Sequence, residues 1–188
     1  GWSRQLAGVC VVWQAITIRV PVGRTGVKGL PVFDPTMDLS TIEQGVTILD
    51  KIIGDLLEYS RPVSLKYSSV QSGALVRQAL DMLSHRLDNI STQIELEREE
   101  RELSVDPDKI SQVFVNVISN SIEAMNGSGR IQISSRFLKR DGVEHLEFLV
   151  TDSGPGMSEE ILKRADEPFF TTKIWGSGLG IPICKKIL

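Results

Sequence analysis

The hydrophobic periodicity of this chain predicts an α+β fold, an α/β sandwich with a mixed β-sheet preceded by a helical segment. Three observations carry that expectation. Ile42, Val46, Leu49, Ile53 and Leu56 recur at spacings of four, three, four and three, the seam of a helix lying lengthwise on another helix. Ile110, Val113, Phe114, Val117, Ile118, Ile122 and Met125 fill one arc of a second helix. Ile131 and Ile133, then Leu146, Phe148 and Val150, alternate with the period of two that marks strands, around an Arg140-Asp141-Gly142 turn.

Composition narrows the classes. Of 188 residues, 41% are hydrophobic and 24% charged, which leaves room for one core or two small ones and excludes disordered and collagen-like chains. Lys plus Arg at 21 against Asp plus Glu at 24 gives a net charge of −3, so no global field draws nucleic acid or anionic lipid. The apolar stretch 6–18 is interrupted by Gln14 and closed by Arg19, short of the roughly 20 residues that cross a bilayer, so no membrane contact is expected from this chain. Cys10 and Cys184 have neither metal-ligand nor disulfide-framework spacing, which points to a reducing, cytoplasmic setting.

The elements follow in order. Residues 1–37 carry four basic residues and one acid, and prolines and glycines from Pro21 to Pro35 bar a helix from their second half. Ser40-Thr41-Ile42-Glu43 is a capping box that opens the seam helix, and Arg61-Pro62 closes it. That helix packs either on its own domain or in a bundle. An extended piece over 63–67, a helix over 72–87 with Val76, Ala79, Leu80, Leu83 and Leu87 on one side, and a strand over 93–97 come next. Asp106-Pro107 supplies an N-cap and a first-turn proline for the helix that Asn126-Gly127 stops in a left-handed turn.

The chemistry gathers in the second half. Asn116 and Asn120 lie four apart on the side of their helix that also carries Glu123, and an amide oxygen there can hold a metal ion at the rim of a pocket. Alone, such asparagines are ordinary solvated residues. The strand ending at Val150 runs into Thr151-Asp152-Ser153-Gly154-Pro155-Gly156, where a carboxylate followed by glycines can accept a hydrogen bond from a planar ligand against the sheet. Adenine offers an amino donor at that position and guanine a repelling carbonyl, so Asp152 would select adenine; the plain alternative is an Asp-Ser-Gly turn. Pro168-Phe169-Phe170-Thr171-Thr172-Lys173 and then Gly176-Ser177-Gly178-Leu179-Gly180 complete the series. Glycines at a helix start expose N–H groups suited to phosphate oxygens, and Lys173 could add a cation.

These motifs, in this order, resemble the catalytic ATP-binding domain of sensor histidine kinases, the Bergerat-fold group shared with gyrase, Hsp90 and MutL. Asn116-Val-Ile-Ser-Asn120-Ser-Ile-Glu-Ala is similar to the family's N box, Asp152-Ser-Gly-Pro-Gly156 to its first glycine box, 168–173 to its F box and 176–180 to its second glycine box. The resemblance covers 39–188. It implies that Asn120, with Asn116, coordinates Mg²⁺, that Asp152 holds adenine, and that Gly154, Gly156, Thr171, Thr172, Lys173, Gly176, Gly178, Leu179 and Gly180 line the ATP site under a mobile lid over 158–175. Leu56-Leu-Glu-Tyr-Ser-Arg-Pro62 resembles the end of the family's second dimerisation helix, which favours the bundle and a homodimer through residues 40–61.

The implied layout is an atypical segment over 1–37, the second dimerisation helix over 38–62 and a C-terminally shortened ATP-binding domain over 63–188. The superfamily's ATPases carry a Glu one turn before the metal-binding Asn; Asn116 stands there, and an amide takes no proton at neutral pH. The resemblance thus implies phosphoryl transfer, with Asn116, Asn120 and Lys173 as the catalytic set, to a histidine and on to a response regulator receiver domain. The family's His-Glu-x-x-Asn-Pro acceptor pattern does not occur, no histidine precedes His85, and neither His85 nor His145 suits the role. Residues 1–37 read as a slipped frame or a replaced acceptor segment. A silent ATP-binding and dimerisation module, or an anti-sigma-type serine kinase, are the alternatives.

Overall fold

A computed structural model describes residues 9–12, 39–140 and 142–188. Its elements are β1 (Val9–Val12), α1 (Leu39–Ser60), β2 (Ser68–Gln71), α2 (Ser72–Met82), β3 (Ile90–Glu95), β4 (Glu102–Val105), α3 (Pro107–Ala124), β5 (Gly129–Arg140), β6 (Val143–Asp152), α4 (Glu159–Arg164) and α5 (Gly180–Ile187). A four-stranded sheet has the order β1-β6-β5-β3, and β2 and β4 form a separate antiparallel pair. β5 and β6 are an antiparallel hairpin, whereas β1 joins β6 and β3 joins β5 in parallel, so the sheet is mixed as the sequence predicts.

The register explains the core. Pairing Ile133 with Val150 and Ile94 with Ile133 puts alternate side chains of three strands on one face. Ile131, Ile133, Leu146, Phe148 and Val150 are buried there against Leu75, Val76, Val113, Phe114, Val117 and Ile118 of α2 and α3. Phe114 meets Phe148 edge to face, ring centroids 5.0 Å apart, at the middle of the contact. Every residue of the predicted apolar arc from Ile110 to Met125 is buried. Leu179, Ile183, Cys184 and Ile187 extend the same core under α5.

α3 is fastened at both ends. The Asp106 carboxylate accepts from Lys109 N at 3.1 Å, the predicted N-cap, and also from Lys66 N at 2.7 Å. At the other end Asn126 and Gly127 take positive φ of 53° and 77°, and Gly127 N donates to Ile122 O at 3.0 Å, the left-handed stop.

Elsewhere the boundaries move. Residues 63–67, expected to be extended, join no ladder: Val63 and Leu65 are half-buried, the segment is tied through Lys66 to a side chain, and pairing starts at Ser68. The helix predicted to reach 87 ends at Met82 and continues as a 3₁₀ turn, Ser84–Arg86. β3 starts at Ile90 rather than 93, and β4, with Val105 as its only buried residue, is too short to leave a period. α1 opens at Leu39, one residue before the predicted cap. Apart from Val9–Val12, the segment 1–37 lies outside the described residues, as do Asp141 of the predicted turn and the Ser40 side chain.

Candidate functional site

α3 organises the site because its polar face is turned toward α5 and the segment before it. Asn116, Asn120 and Glu123 follow at spacings of four and three, and all three are half-buried. Asn116 Nδ2 reaches Gly180 O, at 3.5 Å, so this amide lies under the first turn of α5. Asn120 Oδ1 accepts from Lys173 Nζ at 2.8 Å, and the same ammonium donates to Glu123 Oε2 at 2.5 Å. The other Glu123 oxygen faces Arg86 at 3.3 Å and Lys51 at 4.0 Å. Burial pushes the Glu123 carboxyl up, but the Lys173 hydrogen bond and the charges of Lys173, Lys51 and Arg86 outweigh it and hold the pKa below the ordinary glutamate value.

Asp152 ends β6, opposite Ile131 of β5. Its Oδ1 accepts from Gly154 N at 2.9 Å, and among the described residues its second oxygen has no hydrogen-bond partner. A Cβ on Gly154 would lie 2.8 Å from that Oδ1 and 3.3 Å from Ala124 Cβ, so glycine lets the loop close against the end of α3. Gly156 takes φ +72°. Asn120 and Ala124 are one helical turn apart, about 6 Å along the axis. The Asp152 loop and the Asn120 amide therefore share one side of α3.

The glycine-rich segment meets α3 at Asn120, whose Nδ2 is the atom nearest a Cβ built on Gly180, at 3.8 Å. Gly178 has φ +66°, and a Cβ there would stand 2.5 Å from the Phe169 carbonyl carbon, so the segment is pressed backbone to backbone on the Phe169-Phe170 turn. Phe169 N donates to Gly178 O across that contact. A Cβ on Gly176 would strike Thr171 Oγ1, which itself accepts from Lys173 N at 3.1 Å. Thr172 is exposed. Leu179 is buried, so only its backbone can face a ligand.

Along α3 the predicted residues fall into two groups: Asn116, Asn120, Lys173 and Gly180 meet at its middle, and Gly154, bonded to Asp152, lies at its end, while Gly176 and Gly178 pack on Thr171 and Phe169. Lys173 is turned to the α3 oxygens rather than held out toward a phosphate. Glu123, on the same side of α3, has its charge taken up by three cations, one of which, Lys51, comes from α1. The signal available was the spacing of three from Asn120 on one helix face. Sequence reasoning missed the contact of α1 with this region. Ser177 Oγ donates to Asp55 Oδ2 at 2.6 Å, and Tyr59 meets Phe169 edge to face with centroids 6.4 Å apart.

Asn120 Oδ1 and Glu123 Oε2 are hard oxygen donors that already hold a cation, the donor chemistry Mg²⁺ takes when phosphates supply the remaining ligands. No group of three or more His, Cys, Asp or Glu that could hold a metal occurs among the described residues. Of the two histidines, His85 is exposed on the 3₁₀ turn, and His145 is buried with Nδ1 3.0 Å from Val143 O. No described helix is long and apolar enough to cross a membrane.

Residues 105–188 match the family model described as histidine kinase-, DNA gyrase B-, and HSP90-like ATPase. The chain is 31% identical over 163 residues to sporulation kinase E of Bacillus subtilis (strain 168), covering 86% of this chain and 22% of that protein. It is 30% identical to the signal transduction histidine-protein kinase AtoS of Escherichia coli (strain K12), covering 80% of this chain and 24% of that one. The chain therefore spans about a quarter of the length of these curated relatives. Among solved structures, the catalytic domain of histidine kinase ThkA is similar with a TM-score of 0.58 and 31% identity, over 65% of this chain and 79% of that one. The structure of histidine kinase ThkA in complex with response regulator protein TrrA aligns with a TM-score of 0.66 and 29% identity, over 84% of this chain and 46% of that one.

Proposed function

This chain belongs to the histidine kinase-, DNA gyrase B- and HSP90-like ATPase family, within its histidine kinases, and on that premise we propose that it is the nucleotide-binding part of an ATP-dependent protein-histidine kinase. The observation that carries the reading is the shared side of α3. Gly154, whose N–H engages one oxygen of the Asp152 carboxylate, packs on Ala124, one helical turn from Asn120, and Asn120 in turn lies beside Gly180 at the start of α5. In this reading Asp152 takes the adenine amino group on its second oxygen. Gly176, Gly178 and Gly180 present backbone to the phosphates, with Thr171, Thr172 and the Leu179 backbone beside them. Asn120, flanked by Asn116, holds Mg²⁺, which neutralises phosphate charge when bound.

With Asn116 where the hydrolases keep their base, the residues position and neutralise rather than activate water, which suits transfer to a histidine. The acceptor is assigned to a segment other than 39–188, because His145 is buried and His85, exposed beside the Arg86 that faces Glu123, lacks the family's acceptor pattern. The division into 1–37, a dimerisation helix over 38–62 and a nucleotide-binding domain over 63–188 is part of the proposal. So are a homodimer through 40–61 and a receiver domain of a response regulator as partner, by likeness to the ThkA complex.

The test is binding of a fluorescent ATP analogue with Mg²⁺ to the full chain and to Asp152→Asn. Asn keeps the acceptor for Gly154 N but turns an amide donor toward the adenine amino group. Loss of one charge-assisted hydrogen bond predicts about 10- to 100-fold weaker binding. Equal affinity in the variant would reject the site. A catalytically silent binding module is the second reading, favoured by the two unsuitable histidines. Acid-labile label from radioactive ATP on this chain or on a histidine-bearing partner excludes it.

A further inference from the structure

Lys173 was expected to face the phosphates, yet its ammonium sits on two oxygens of α3, Asn120 Oδ1 at 2.8 Å and Glu123 Oε2. We propose that Lys173 is a tethered counter-cation that fills the divalent-metal seat of the nucleotide-free protein and leaves it when metal and nucleotide enter, with Glu123 as the second oxygen of that seat. This rests on the Mg²⁺–ATP reading of the site. Three features of the chain support it. First, the seat is built on rigid elements: Asn120 and Glu123 share one face of α3, while Lys173 comes from the segment packed against Gly178, 53 and 50 residues away in sequence. Second, the seat holds one neutral and one anionic oxygen, so a divalent ion there keeps most of its water and binds weakly enough for a monovalent ammonium to compete. Third, Arg86 and Lys51 face the Glu123 oxygen that Lys173 does not hold and so fix the carboxylate with Oε2 toward the seat when Lys173 departs. Exchange then does two things at once. It opens the oxygens to the ion and releases the ammonium at the entrance of the glycine segment, where phosphate oxygens would arrive.

The experiment titrates Mn²⁺, as a spectroscopic stand-in for Mg²⁺, into the nucleotide-free full chain and reads free ion by electron paramagnetic resonance. Lys173→Met and Lys173→Gln, both without the charge at an exposed position, should bind Mn²⁺ about tenfold tighter than the unaltered chain, the scale of one charge-assisted hydrogen bond no longer in competition. Adding Glu123→Gln to Lys173→Met should erase the gain. Equal affinity in the unaltered chain and both Lys173 variants overturns the proposal, as does a gain that survives Glu123→Gln. Asp152→Asn separates the two readings, since Asp152 is not part of the seat. Nucleotide binding indifferent to Asp152 rejects the nucleotide reading alone, and Mn²⁺ binding indifferent to Lys173 rejects the exchange alone.

Discussion

Replacing Gly178 with alanine tests the claim that the glycine segment is placed by close backbone approach. Two costs add there. The residue has φ +66°, where an L side chain loses about 1–2 kcal/mol. A Cβ would also lie 2.5 Å from the Phe169 carbonyl carbon and 2.8 Å from both Phe169 Cα and Phe170 N, all backbone atoms with no rotamer to escape into. Overpacking of this kind costs about 1–3 kcal/mol more unless the neighbour moves. The neighbour can move, because Phe169 itself holds φ +67° and is kept there by its bond to Gly178 O and its edge contact with Tyr59. The expected result is therefore a local opening of the turn around Phe169, with a smaller global loss. Gly127 is the internal control: φ is +77°, nothing lies within 4 Å of an added Cβ, and Gly127→Ala should cost only the conformational part, about 1–2 kcal/mol. Urea unfolding compares the two variants, and amide hydrogen exchange reads Phe169 N–H. If both variants lose the same stability and Phe169 keeps its protection, the steric reasoning is wrong.

Three further outcomes follow from other parts of the chain. Asp106→Ala should cost about 1–2 kcal/mol as a lost N-cap. Burial raises the Asp106 carboxyl, but hydrogen bonds from the backbone of Lys66, Lys109 and Asp108 bring it below the usual value of 3.8. Its contribution is thus present above that value and is lost as pH falls through the folded pKa, so Asp106→Asn should flatten the acid limb of stability below about pH 4; an unchanged limb would contradict this. Cys184 is buried and its thiol is pushed up to about 12 by desolvation, so in a Cys10→Ser background a disulfide reagent at pH 8 should label it only at the rate of unfolding. Finally, Leu49 and Ile53 are 58% and 53% exposed on α1, and each such side chain gains about 1.5–3 kcal/mol on full burial. The unaltered chain should sediment as a dimer or larger at micromolar concentration, and Leu49→Glu with Ile53→Glu as a smaller species; a monomeric unaltered chain counts against the seam.

What was legible in the sequence was whatever a single element encodes by itself. α3 shows this best: its cap at Asp106, its proline, its buried arc and its stop at Asn126-Gly127 are all local signals, and all stand in the structure. The β5–β6 hairpin was equally readable, since a period of two survives over strands of twelve and ten residues. β4, four residues long, has no room for a period, and 63–67 alternates without a partner strand because a ladder depends on what lies across it. The motif glycines could be named from sequence, but what each one touches could not. The ion pairs of Lys173 with Glu123 and of Lys51 with Glu123 join residues 50 and 72 apart, and charge at such separations carries no spacing rule.

α1 is part of the surroundings of the site. Its last turns bear on the glycine region at several points. Asp55 accepts from Ser177, Tyr59 rests on Phe169, and Lys186 of α5 donates to the carbonyls of Tyr59 and Arg61 where α1 leaves its final backbone acceptors unpaired. Lys109 of α3 holds Glu58, and Lys51 shares Glu123 with Lys173. Each pair is partly exposed and individually weak, on the order of 1 kcal/mol or less. They act on different partners, however: the turn at Phe169, the loop at Ser177, α5 and α3. The seam of α1, Ile42 to Leu56, points away from these contacts and is exposed. One helix therefore presents an exposed apolar face suited to another helix and a polar face engaged with the glycine segment.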